Sequence, residues 1–287
     1  MKLFVSTTFI PDSKPLHEAL VQCKQSEITS LEIGSNHCYE DSYDYCADFS
    51  FQYLVHNYFP IPKDSFVLNI GSSDDGIRER SISHIKTAID FCSEIGAKLY
   101  TFHPGFVTDP SGSNTSEQNY DFRWDENQLQ NRNYVNAKNL MYSAIDEVVA
   151  YAKSENIRVA IETEGSLNKK DHLLMQRPEE YEEFMEKYSI LDIGINLNIG
   201  HLNLASNAFK FNREEFVDLV QDYIIAMELS HNNGLDDQHL PLRANGWYWN
   251  LILDSRFESA YKILEFRNTD IDLILKEKDV NLDGDII

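Results

Sequence analysis

Short runs of apolar and β-branched residues alternate along the chain with longer segments whose apolar positions recur every three to four residues. That alternation is the pattern of a parallel sheet built from βα units. Eight such runs are present: KLFVS from Lys2, SLEIG from Ser30, QYLVH from Gln52, KLYTFH from Lys98, RVAIE from Arg158, DIGINLN from Asp192, YIIAMEL from Tyr223 and YKILEF from Tyr261. Eight strands predict a closed (β/α)8 barrel, the TIM barrel, rather than an open sheet.

The helices between the runs have readable faces and ends. After Asp74, the side chains of Ile82, Ile85, Ile89 and Cys92 make one stripe, Ser73 or Asp74 can cap the start, and Gly96 ends the segment. A second stripe is Met141, Ile145, Val148 and Ala152. A third helix opens with Pro178 in its first turn and is expected to bury Tyr181, Phe184, Met185 and Tyr188. No Pro/Gly/Ser linker and no change of composition marks a boundary, so residues 1–287 are expected to form a single domain. One long irregular insert, polar and rich in Asn, Ser and Asp, runs from Val107 to about Asn133. It follows the fourth strand, a position over the barrel mouth where binding loops belong.

With 42% hydrophobic and 25% charged residues, the chain can bury a sizeable core. Its 47 acidic and 25 basic residues give a formal charge of -22, which opposes polyanions and makes nucleic acid a disfavoured partner. The opening MKLFVSTTFIPDS is interrupted by two threonines and then Pro11 and Asp12, so it does not read as a signal peptide. No stretch approaches the ~18 apolar residues of a membrane helix. Cys23, Cys38, Cys46 and Cys92 form no CxxC pair and read as reduced thiols. These features together predict a cytoplasmic protein with no membrane partner; a homo-oligomer is compatible with them, and the oligomeric state stays open.

Metal-ligating residue types gather at the strand ends. His56 ends the third run and His103 the fourth, Glu162 ends the fifth, Asn198 and His201 follow the sixth, Glu228 and His231 close the seventh, and Glu265 lies on the eighth. Asp237 and His239 occupy the loop after the seventh. A lone strand-end histidine is more often structural than ligating, but five of the nine histidines fall on one predicted rim, where barrel enzymes place their sites.

Several stretches carry a family resemblance: LVHNYFP, NIGSSDDGIRERS leading into FHPG, AIETEG, LNIGH and DDQHLPL. Over nearly its whole length the chain resembles the xylose-isomerase-like barrels, a superfamily that contains sugar and sugar-phosphate isomerases and epimerases, inosose-type dehydratases and endonuclease IV. The resemblance implies one to three divalent ions in three sub-sites. His56, His103 and Glu162 would form one, and His201, Asp237 and His239 another. The middle one is altered, with Glu162, Asn198, Glu228 and Glu265 where the family usually has Glu, Asp, His and Glu. The exchange of Asp for Asn and of His for Glu leaves three carboxylates, as before. An all-oxygen set suits Mn2+ or Mg2+, whereas the His-rich flanking sets suit Zn2+. His231 stands where the family commonly has Asp, three residues beyond Glu228, and is expected outside the ligand shell.

The loop RANGWYW brings Arg243, Trp247, Tyr248 and Trp249 together. Arg243, Trp247 and His231 are candidates for contacting a substrate phosphate, carboxylate or sugar ring, against the alternative of a solvated arginine and aromatics under a helix. Phe102, Phe106, Phe122 and the run Asn168-Lys169-Lys170 are similarly open. The reading that follows is a metal-dependent isomerase or epimerase of a small carbohydrate or phosphorylated substrate, with Glu162 and Glu265 moving a proton through an enediolate. Its alternatives are metal-dependent hydrolysis of a small phosphoester in the manner of endonuclease IV, and a non-catalytic paralogue.

Overall fold

A computed structural model describes residues 2–110, 133–166 and 172–282. Eight strands form: β1 (Lys2–Ser6), β2 (Ser30–Ile33), β3 (Gln52–His56), β4 (Leu99–Phe102), β5 (Arg158–Glu162), β6 (Gly194–Asn198), β7 (Ile224–Leu229) and β8 (Tyr261–Leu264). Each pairs in parallel with the next, and β8 returns to β1, closing the barrel. Every expected run contains one of these strands. The strands are shorter than the runs: His103 and Glu265 each stand one residue beyond the last paired position, although their side chains still serve the rim.

The helices are α1 (Leu16–Gln25), α2 (Asp75–Ile95), α3 (Tyr134–Ser154), α4 (Pro178–Lys187), α5 (Ile199–Phe209), α6 (Arg213–Val220), α7 (Trp249–Ile252) and α8 (Ile271–Leu282). Between β2 and β3 the connection holds only a short 3-10 helix, Asp44–Asp48. Asp74 caps α2 by accepting from the Ile77 N–H at 3.1 Å, and Gly96 ends it at φ 70°, a left-handed conformation that costs glycine little. Pro178 opens α4, where the Glu180 carboxylate gathers the N–H groups of Met175, Gln176 and Arg177. Of the residues expected inside α4, Tyr181, Phe184 and Tyr188 are buried, and Met185 is only partly so.

The core has two layers, and their separation positions the site. A large apolar mantle lies between barrel and helices, with Leu31, Val55, Ile85, Met141, Ile161 and Phe184 among its members. A second, small cluster of Phe4, Leu54, Leu99, Ala160, Ala226 and Ile263 fills the barrel interior. Side chains alternate along a strand, so the next inward position is two residues on. There the same six strands carry Ser6, His56, Thr101, Glu162, Glu228 and Glu265, all buried. Each large mantle side chain contributes about 1.5–3 kcal/mol on burial, so the mantle carries the stability and the upper interior is left free for polar chemistry.

Residues 111–132 of the expected mouth insert, with Phe122, and the run Asn168-Lys169-Lys170 lie outside the described residues. No helix among the described residues is long and apolar enough to cross a membrane. Cys23, Cys46 and Cys92 are buried and Cys38 half-buried, and none forms a disulfide.

Candidate metal centre

Glu162, at the end of β5, is the hub of the polar layer. Its Oε2 lies 3.5 Å from His56 Nε2 and 3.4 Å from His103 Nε2. On its other side His56 Nδ1 meets the Thr101 hydroxyl at 2.8 Å, and His103 Nδ1 donates to the Glu164 carboxylate oxygen Oε1 at 2.7 Å. Such outer partners fix the tautomer and aim of a ligating imidazole.

A second triad lies on the other side of the hub. Asp237 Oδ2 is 3.4 Å from His201 Nε2 and 2.9 Å from His239 Nε2. His201 Nδ1 donates to the Thr163 carbonyl at 2.9 Å and lies 3.0 Å from Glu162 Oε1, while His239 Nδ1 stands 3.0 Å from Glu265 Oε2. His239 has φ 45°, a left-handed conformation uncommon for a non-glycine residue, which the surrounding contacts sustain.

Donor chemistry and spacing fit a divalent ion at both triads. Bonds of about 2.0–2.1 Å to a tetrahedral ion hold its ligand atoms about 3.3–3.4 Å apart, close to the edges measured around Glu162 Oε2. Glu162 Oε2 and Asp237 Oδ1 are buried and make no hydrogen bond. Buried polar atoms left so are costly unless a ligand completes them.

The middle set is different. Asn198, at the end of β6, places its amide Nδ2 2.9 Å from Glu162 Oε1, 2.8 Å from Glu228 Oε2 and 3.4 Å from Glu265 Oε2. Its Oδ1 accepts the His201 N–H at 3.0 Å and caps α5. Whereas the sequence suggests an oxygen ligand, the side chain presents N–H donors to the three carboxylates. Glu228 Oε1 accepts from Asn196 Nδ2 at 2.6 Å.

Charge is distributed unevenly. Burial opposes ionising Glu162, but His103, His201 and His56 outweigh it and hold the carboxyl below its ordinary range. Asp237 is likewise buried, and His239 and His201 hold it well below. Glu228 moves the opposite way, because burial is reinforced by Glu162, Glu265 and Glu32.

Sequence reasoning missed several members. Glu32 on β2 is fully buried, is raised by burial and by Glu265, and comes close to His56 and Glu228. A single acid inside the apolar run SLEIG was the available signal, since a buried charge demands a reason. Glu164, two residues beyond Glu162, was legible from strand alternation. Thr101 and Asn196 carried no distinctive signal.

The proposed substrate contacts do not all converge. His231 is half-buried, pairs its backbone with Leu240, and has its Nδ1 3.5 Å from the Tyr248 hydroxyl. Burial and the nearby Arg243 charge lower its pKa. Arg243 is exposed, and its backbone N–H donates to Tyr248 Oη at 2.7 Å. Trp247 packs under the Arg213 guanidinium at 4.1 Å, in a groove along α6 with Val217, Leu251 and Arg256. Phe102 is buried against Tyr100, and Phe106 pairs with Leu173.

Comparison with known proteins places this geometry in context. An uncharacterized protein of Methanocaldococcus jannaschii is 24% identical over 288 residues, covering 98% of this chain and 88% of its own. A D-tagatose 3-epimerase-like protein superposes with a TM-score of 0.74 at 21% identity, covering 98% of this chain and 95% of that one. The TTHB071 protein of Thermus thermophilus, soaked with ZnCl2, gives a TM-score of 0.62 at 18% identity, with both chains covered completely. Residues 32–277 match the xylose isomerase-like TIM barrel family, and this chain, a closed parallel barrel with buried His and carboxylate clusters at its rim, belongs to that family.

Proposed function

We propose that the protein is a metal-dependent isomerase or epimerase of a small carbohydrate or sugar phosphate, with Glu162 and Glu265 as the groups that take and return the proton. The observation that carries this reading is the convergence of these two carboxylates, from β5 and β8, on one amide nitrogen at 2.9 and 3.4 Å. Two acids held this close by one amide can both reach a small substrate bound beside it. The overall likeness to the D-tagatose 3-epimerase-like protein is in keeping with a sugar substrate.

A divalent ion bound at the triads supplies polarisation of a carbonyl and its neighbouring hydroxyl, which acidifies the adjacent C–H. The chain does the rest. Glu162 is kept ionised by the surrounding histidines, the form that can accept a proton, while its lowered pKa makes it a weak base until substrate and metal change its surroundings. Glu265, beside His239, stands across from it to receive or return the proton. Burial of both excludes bulk water from the proton in transit.

A second reading has one specific observation behind it. The triad His201, Asp237 and His239 is complete, and proton transfer between two carboxylates does not need it, whereas hydrolysis of a small phosphoester uses more than one ion. One experiment separates the two. Incubating metal-loaded protein with a panel of ketoses, aldoses and their phosphates in D2O is expected to put deuterium on the carbon beside the carbonyl. Glu265→Gln, with metal content measured in the same sample, is expected to slow exchange about 100-fold to 10,000-fold. No exchange across the panel, together with phosphate release from a small phosphoester, would reject the isomerase reading in favour of the hydrolase.

A further inference from the structure

The point enclosed by Glu162, Glu228 and Glu265 contains a hydrogen-bond donor, and its orientation can be established without ambiguity. The Oδ1 of Asn198 accepts the His201 N–H at 3.0 Å. That backbone group can only donate, so the atom facing it must be oxygen, and the NH2 group must face the carboxylates. An amide nitrogen has two protons and no lone pair for a metal. Its contacts of 2.9 and 2.8 Å to Glu162 and Glu228 use both protons, with Glu265 at 3.4 Å sharing one of them.

We propose that the Asn198 amide takes the place of a cation at the middle sub-site, so that the protein carries two divalent ions, one in each flanking triad, and not three. This rests on the metal-binding reading above. Bringing Oδ1 to the carboxylates instead would set oxygen against oxygen and leave the NH2 group pressed on the His201 N–H, losing the α5 cap as well. Further contacts hold the residue where it is. The Asn198 N–H donates to Thr163 Oγ1 at 2.9 Å, and Gly200 packs so tightly here that a Cβ on it would stand 3.2 Å from Asn198 Oδ1. Glu228 is committed too, each oxygen accepting from an asparagine amide. The contrast with the first triad is internal to the structure: Glu162 Oε2, the atom facing His56 and His103, makes no hydrogen bond, whereas both polar atoms of Asn198 and both oxygens of Glu228 do. Asn198 is thus a positioning residue, its amide holding three carboxylates together where like charges would otherwise drive them apart.

The test is metal stoichiometry. Protein dialysed against excess Zn2+ or Mn2+, desalted and analysed for metal per chain is expected to hold two ions. His201→Ala should hold one, which assigns the lost ion to its triad. Asn198→Asp should gain a third, because a carboxylate oxygen then replaces the amide donor. The double change Asn198→Asp with Glu228→His keeps the natural count of three carboxylates, so it also answers if the single variant fails to fold, and it too should hold three. Three ions in the wild type would overturn the inference and leave the metal reading standing. No metal in the wild type would overturn both. Two ions in the double variant would show that Asn198 does not exclude the third, and the inference would fail.

Discussion

His239 sits between two carboxylates, with Asp237 at 2.9 Å and Glu265 at 3.0 Å, and this makes its proton a reporter of the site. Burial opposes charging the ring, but Asp237 and Glu265 outweigh it and push its pKa from 6.5 up to about 9. A raised folded-state pKa means that the charged ring stabilises the metal-free fold fully below 6.5, and that this contribution is lost as pH rises through 9. In chelator-treated protein, the melting-temperature advantage of wild type over His239→Gln should therefore shrink between pH 6.5 and 9. Metal binding needs the neutral ring, so the stabilisation added by Zn2+ should grow over the same window. An advantage that widens with pH in the chelated protein would show that the ring is not held between the two acids.

At the scale of elements, each strand delivers its chemistry through the two-residue alternation, and each helix holds its strand in place through its ends and its apolar face. The α2 cap is a local test of that second role. Asp74→Ala removes the acceptor for the Ile77 N–H and should cost about 1 kcal/mol in urea unfolding. Phe184→Ala, in a fully buried position of α4 against Tyr188 and Tyr223, should cost about 3–5 kcal/mol because the mantle is close-packed. Neither side chain belongs to a candidate triad, so metal content should be unchanged in the folded fraction. A cap variant that loses metal while remaining folded would mean that helix ends and rim are coupled more tightly than this layered arrangement implies.

For the molecule as a whole, the charge of -22 decides between partners that share a chemistry. A small sugar phosphate carries little charge to repel, whereas duplex DNA presents a dense array of phosphates and normally requires several basic contacts. Screening at ~0.15 M salt weakens the repulsion without supplying those contacts. Metal-loaded protein should therefore leave a duplex containing an abasic site intact. Cleavage at more than about 1 turnover per second would show that local groups override the global field, and would promote the hydrolase reading.

Hydrophobic period alone determined the eight strands, their order and the closed barrel, because alternation of β-branched runs with amphipathic helices admits few other folds, and the caps at Asp74 and Gly96 were equally local signals. The groups His56, His103, Glu162 and His201, Asp237, His239 were legible by position at strand ends and by family resemblance, and their atoms lie close enough together to hold a metal ion. Strand limits were less so, since where a ladder stops depends on its neighbours, as His103 and Glu265 illustrate. Tertiary structure alone brought Glu32 and Asn196 into the cluster and carried Trp247 away to Arg213. It also decided which atom of Asn198 faces the carboxylates. A sequence names an amide without orienting it; the His201 N–H, fixed by the start of α5, took the oxygen and left the nitrogen for the acids.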